Sequence, residues 1–317
     1  MSVDRIATNA QSQFLLSQIQ QASAAVNKSN AQVASGLVSS TYAGFGAQTS
    51  VLEAAQTASA RATAYQSNTQ MAVNQANLQD TQLTALSGLA SQLQKAISDA
   101  LANNDASTLP TQAQSILDQA TQILNSTDAN GNYLYGGEKD NTPPVTVSTL
   151  SQLAGLTSVS DAFDNGTEKK SVQVGSGQSV QIGVLASDVG TNLLQTLKDI
   201  AGFDAGPTGN FAGSTTLTSA QNDFLTSELP QAVTTATNLN TATAANGYVY
   251  NSLQDAATNQ GTLSTLYSGF VSSIQNVDPA TAITQLNANQ TALQAALQVT
   301  AQLGQVSLLN YLPAPTG

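Results

Sequence analysis

The residues best placed to do chemistry are Asp128, Asn130 and Asn132, an acid and two amides at alternate positions in Asp128-Ala129-Asn130-Gly131-Asn132. Oxygen ligands at that spacing open a calcium loop. Such a loop also needs glycine at its sixth position and a bidentate glutamate at its twelfth, whereas here glycine is fourth and Lys139 is twelfth, so the string is a turn. Asn125-Ser126-Thr127 and Asn165-Gly166-Thr167 match glycan acceptor sequences, a pattern that arises often by chance. The chain has no cysteine, histidine or tryptophan. That removes Cys–His nucleophile pairs, Ser-His-Asp triads, Cys/His zinc sites and disulfide frameworks. Catalysis by carboxylates alone needs two acids held together with one pKa raised, and the 19 acidic residues are scattered singly along the sequence. No catalytic, cofactor-binding or metal-ligating residue is expected, and no cofactor.

Charge narrows the partners. Only 9% of the 317 residues are charged and the net charge is −11, the opposite of a surface that tracks phosphates, so nucleic acid is not an expected partner. The basic residues are Arg5, Lys28, Arg61, Lys95, Lys139, Lys169, Lys170 and Lys198, so everything beyond Lys198 is acidic or neutral and offers no basic membrane-binding stripe. Apolar runs fall far short of the roughly 20 residues that cross a bilayer, and a soluble chain without membrane insertion is expected. The first twenty residues interleave Gln, Ser and Asn with apolar positions and lack the features of a cleaved secretory signal.

The elements that would position any surface are long helices at both ends. Between about Ile6 and Val38 the spacing of Ile19, Val26 and Val33 is a strict seven, joined on the same face by Leu15 and Ala22, a heptad-like seam. A second helix from about Thr49 to Leu101 carries Leu86, Leu89, Leu93, Ile97 and Leu101 three or four apart, and at 1.5 Å per residue would run ~80 Å. Pro110 marks the start of another helix with Ile116, Ile123 and Leu124 on one side. Towards the other end Leu263, Leu266, Phe270, Ile274 and Val277 keep the same rhythm. Asp278-Pro279 then supplies an N-cap and a first-turn proline for a last helix with Ile283, Leu286, Leu293 and Leu297. These helices are rich in Ala, Gln, Asn, Thr and Ser and poor in charge. Alone they would be marginal, so their remaining faces call for cover by other copies.

From Gly136 to Gly213 the composition shifts to Gly, Thr, Val and Ser, which predicts strands. Val172 and Val174 alternate with polar residues, Gly175-Ser176-Gly177 turns, and Val180, Ile182 and Val184 alternate again, a β-hairpin. A short helix is expected near Leu193 to Ile200, before the chain returns through Ala220 to Leu239. The expected fold is mainly α, with long antiparallel coiled-coil-like helices from both termini and a smaller β-containing domain inserted centrally. Its parts are an amino-terminal helical arm (1–44), a helical rod (45–135), an inserted outer domain (136–215), a returning rod (216–280) and a carboxyl-terminal arm (281–317).

The run Ile123-Leu124-Asn125-Ser126-Thr127-Asp128-Ala129-Asn130-Gly131-Asn132-Tyr133-Leu134-Tyr135-Gly136-Gly137 resembles the N-S-T-D-x-N-G turn of the flagellin and flagellar hook-associated (hook-filament junction) family. Val33-Ala34-Ser35-Gly36-Leu37 fits the turn after that family's first helix. Ile274 to Leu297 is similar to its terminal helix, and Ser307-Leu308-Leu309-Asn310-Tyr311-Leu312 is closer to the junction protein. The resemblance covers residues 1–139 and 245–312 and departs at Tyr42-Ala43-Gly44-Phe45-Gly46-Ala47, where flagellins carry an Asp-Asp turn. It implies a structural subunit of the extracellular flagellum, polymerised with other flagellar axial proteins, exported without a cleaved signal, and met beforehand by a chaperone at the carboxyl-terminal helix. The expected assembly interface is Leu15, Ile19, Val26, Val33, Leu286, Leu293, Leu297 and Leu308. The alternative is a cell-surface glycan-binding adhesin related to flagellin. Sugar stacking would then fall to Phe163, Phe203 and Phe211, which are widely spaced.

Overall fold

A computed structural model describes residues 2–213 and 216–309, with side chains from 10 to 213 and from 216 to 302. Helices dominate: α1 (Ser2–Ser35), α2 (Thr49–Asn103), α3 (Leu109–Leu124), α4 (Leu150–Ala154), α5 (Ala186–Asp204), α6 (Ser219–Gln275) and α7 (Pro279–Leu309). One antiparallel pair of strands, β1 (Lys170–Gly175) and β2 (Gln178–Ile182), lies between α4 and α5. The mainly helical architecture with a small central β element is the one expected from the sequence. The chain divides into two compact units, Met1–Ala60 with Ser264–Gly317, and Arg61–Leu263.

In the larger unit α2 and α6 run antiparallel. Ser87 Oγ shares a 2.7 Å hydrogen bond with Asn240 Oδ1, and Asn246 Nδ2 donates to the Ala76 carbonyl at 2.8 Å. The stripe Leu86, Leu89, Leu93 and Ile97 is buried as its spacing requires, with Leu101 packed at its edge. It meets Ile116, Leu117, Ala120 and Leu124 of α3 and Leu193, Leu197 and Ile200 of α5 in one core. A second, smaller core forms where the hairpin residues Val174 and Ile182 cover Ala72, Val73 and Ala76 of α2 and Leu253 of α6.

The segment from Gly136 to Gly213 holds less strand and more helix than its composition predicts. The hairpin pairs Val172 with Val180 and Lys170 with Ile182, and Val184 lies beyond it. The helix expected over Leu193 to Ile200 is α5, 19 residues long. Two glycines obscure its length in the sequence, and one of them has a packing reason. A Cβ on Gly190 would meet Leu124 Cδ1 at 2.9 Å and Phe163 Cε1 at 3.0 Å, so helix and neighbours approach where only glycine fits.

Along α6 the polar side chains fall into two groups. Thr234, Thr235, Thr237, Thr241, Thr243, Thr258 and Thr262 each donate their hydroxyl to the carbonyl four residues back, at 2.9 to 3.1 Å. Near the start of the helix, Glu228 is half-buried, its Oε2 has no hydrogen-bonding protein partner, and Asp199 of α5 adds a like charge. Burial first and Asp199 second push the Glu228 carboxyl up to about 7. The folded chain therefore binds a proton that the unfolded chain releases at about 4.5. The stabilisation is complete below the unfolded value and is lost as pH rises through 7. We expect the melting temperature to fall between pH 5 and pH 8, and Glu228→Gln to flatten that slope in thermal unfolding followed by circular dichroism. An unchanged slope in the variant would assign it to other groups.

Candidate assembly surface

The terminal unit is built on α1 and α7. Gly36 ends α1 in a left-handed conformation (φ 70°), after which Val38 N donates to the Gln275 carbonyl at 2.8 Å and Val277 N donates to the Gly36 carbonyl at 2.9 Å. Those two bonds tie the end of the first helix to the start of the last. Asp278 then caps α7. Its carboxylate accepts from Thr281 Oγ1 at 2.7 Å and from Ala280 N at 3.3 Å, and these bonds hold its pKa below the usual carboxylate value.

Beyond the cap, α1 and α7 pack side by side in opposite directions. Leu15, Ile19, Ala22, Val26 and Ser29 of α1 are buried or half-buried at alternating intervals of four and three. Ala282, Leu286, Asn289, Leu293, Ala296 and Thr300 of α7 follow the same intervals. This is a heptad seam on both helices, and it is polar at one point. Asn289 Nδ2 donates to Ser29 Oγ at 2.7 Å and lies 3.4 Å from the Ala25 carbonyl. A single amide in such a seam fixes register, because sliding by one turn would leave it facing aliphatic carbon.

Of the expected interface residues, Leu15, Ile19, Val26, Leu286 and Leu293 lie in this seam. Val33 and Leu297 point outward, 38% and 48% exposed, and Leu308 lies outside the residues whose side chains are described. Ser29, Ala282, Asn289, Ala296 and Thr300 were not singled out from sequence. The signal was their spacing in phase with Leu286 and Leu293, which a search for large apolar residues passes over. Phe14, Leu16, Leu266, Phe270, Ile283 and Val299 are exposed as well, so the terminal unit keeps an apolar surface that its own helices do not cover.

The residues that suggested other chemistry are used internally. Asp128 Oδ1 accepts from Asn130 N at 2.8 Å and Asn132 N at 2.9 Å, and Asn132 Nδ2 reaches its other oxygen at 3.3 Å. These bonds, led by the Asn132 backbone N–H, hold its pKa down and close the turn, with Gly131 at φ 85°. Among the described residues no three acids gather at a possible metal site. Asn125 exchanges two hydrogen bonds with the Val145 backbone, and Asn165 exchanges two with Ser187. Phe203 stacks on Phe224 with ring centroids 4.1 Å apart and Phe211 lies 5.5 Å from Phe203, while Phe163 packs on the main core, so none forms an exposed sugar platform.

The same turn borders an open groove. α2 holds the turn by glutamine side chains, Gln79 Nε2 donating to the Leu134 carbonyl at 3.1 Å and Gln82 Nε2 to Ser126 Oγ at 2.9 Å. Between this turn, α2 and the β1–β2 hairpin lies a cleft of about 620 Å³, lined by Met71, Leu78, Val172 and Ile182 with Asn74 and Gln75 among its polar groups. Among the described residues no helix is long and apolar enough to cross a membrane.

Long helices from both ends of the chain thus pair through a heptad seam and leave apolar surface uncovered. Residues 231–312 match the model of the bacterial flagellin C-terminal helical region. No curated protein sequence matches the chain. Among solved structures it is similar to a flagellar hook-associated protein of Vibrio parahaemolyticus, with TM-score 0.58 and 16% identity over 72% of this chain and 97% of that one. It is also similar to FlgL of Bacillus cereus, with TM-score 0.54 and 14% identity over 69% of this chain and 98% of that one. At these identities the likeness to the two structures is one of fold.

Proposed function

We propose that the chain is a structural subunit of the bacterial flagellum, of the flagellin or hook-filament junction kind, that assembles through its terminal helices. The observation that carries this reading is the α1–α7 seam, which joins the two ends of the chain in a flagellin-type helical region yet leaves Phe14, Leu16, Ile283 and Leu297 facing outward. Apolar area of that kind gains about 25 cal/mol per Å² when a neighbouring subunit covers it. The same surface would drive premature association inside the cell. That supports a chaperone on α7 before export, and release to the cell exterior through the flagellar export apparatus. The glycan-binding alternative gains nothing from the comparisons, and the phenylalanines it would use are packed inside.

Electron microscopy of the purified chain, concentrated and seeded with filament fragments, tests the proposal. Ordered helical growth, or addition of a terminal layer to the seeds, is expected. Monomers that neither polymerise nor add to seeds would overturn it.

A further inference from the structure

We propose that the groove between α2, the β1–β2 hairpin and the 128–134 turn receives Tyr248 from a second copy of this chain, joining successive subunits side by side; this rests on the polymeric role proposed above. Tyr248 lies on α6 and is 78% exposed, more than any other large apolar side chain among the described residues. Asn246 and Leu253 face α2, and at 3.6 residues per turn Tyr248 lies about 150° round the helix from them and points away from α2. The groove, by contrast, opens on α2, where Met71 is 62% exposed. Tyr248 therefore faces away from the groove of its own subunit, and the pairing is between unlike surfaces, the kind of contact that repeats into an open polymer.

Height and charge agree with this occupant. Asn246 bonds the Ala76 carbonyl, so Tyr248 sits level with the groove residues Met71 to Leu78, and two copies can meet without sliding along their helices. The chain as a whole carries −11, yet residues 62–79 and 229–254 contain no charged side chain. These stretches of an acidic molecule can face a copy of itself without opposing carboxylates. The acid that lines the groove, Asp128, has its carboxylate engaged by the N–H groups of Asn130 and Asn132. The groove also suits the side chain. Met71, Leu78, Val172 and Ile182 offer apolar contact to a ring, and Asn74 and Gln75 offer amides to its hydroxyl.

The chain has no cysteine, so Asn68→Cys at the edge of the groove and Ser252→Cys, one turn from Tyr248, each introduce a unique thiol and leave the tyrosine in place. The two full-length variants are mixed, assembled on filament seeds and treated with a short bis-maleimide. A covalent 68–252 dimer is expected in the assembled fraction and not in dilute monomer. In parallel, Tyr248→Asp should raise the concentration needed for assembly at least ~10-fold, as loss of a central tyrosine does at other interfaces. Its thermal unfolding should remain that of the parent. Polymers without the 68–252 link, or Tyr248→Asp assembling at the parent concentration, would each overturn the groove contact and leave the structural role standing. A parent chain that neither polymerises nor adds to seeds would overturn both.

Discussion

Leu293→Asp is expected to abolish assembly while the larger unit, Arg61–Leu263, keeps its cooperative thermal unfolding. Leu293 lies mid-seam on α7, four residues beyond the Asn289–Ser29 contact that sets register. The substitution forfeits up to ~1.5–3 kcal/mol of aliphatic burial and places a carboxylate within the apolar seam, where desolvation adds a further cost. The cores built on Leu93, Leu117 and Leu193 contain no α7 residue and are untouched. Light scattering reports assembly and circular dichroism reports the larger unit. Filaments forming at the parent concentration would remove the α1–α7 seam from the mechanism.

Tyr135→Ala should lower the unfolding free energy of the larger unit by ~3–5 kcal/mol, the usual cost of emptying a buried aromatic site. Tyr135 is fully buried at the end of the motif turn, and its carbonyl accepts from Ala186 N at 3.0 Å, so it links the turn to the start of α5. Its hydroxyl has no protein hydrogen-bonding partner, and burial pushes its pKa upward. Tyr135→Phe keeps the ring and removes that polar atom, and should match or exceed the parent by about 1 kcal/mol. Urea titrations of both variants separate ring from hydroxyl. A Phe variant as weak as the Ala variant would mean that the hydroxyl is bonded in solution.

Most of the architecture could be foreseen because hydrophobic spacing is a local property. Leu86 to Leu101 specified the buried face of α2, and Ile19 and Val26 specified the seam of α1. On α7 the large residues were ambiguous. Ile283 and Leu297 share the three-four rhythm of Leu286 and Leu293, and only the small and polar residues Ala282, Asn289, Ala296 and Thr300 decide which phase faces α1. α5 was underestimated because Gly190 and Gly202 look like breaks, although at Gly190 the absent Cβ is what allows close packing. The strand content expected around the hairpin came from composition, which cannot say that Val145, Val147 and Val159 join the helical core. The groove was invisible in the sequence, since it joins residues from α2, the motif turn and the hairpin that only the fold brings together.

The threonines of α6 give the chain a property that its polar composition conceals. A hydroxyl exposed on a helix ordinarily keeps water, and covering it without a partner costs ~1–3 kcal/mol. Thr234, Thr237, Thr241, Thr258 and Thr262 are exposed along α6, and each hydroxyl already gives its proton to a carbonyl of the same helix. A surface that looks hydrophilic letter by letter is thus half-dehydrated in advance. A neighbour can cover such a face without leaving a hydroxyl proton unpaired.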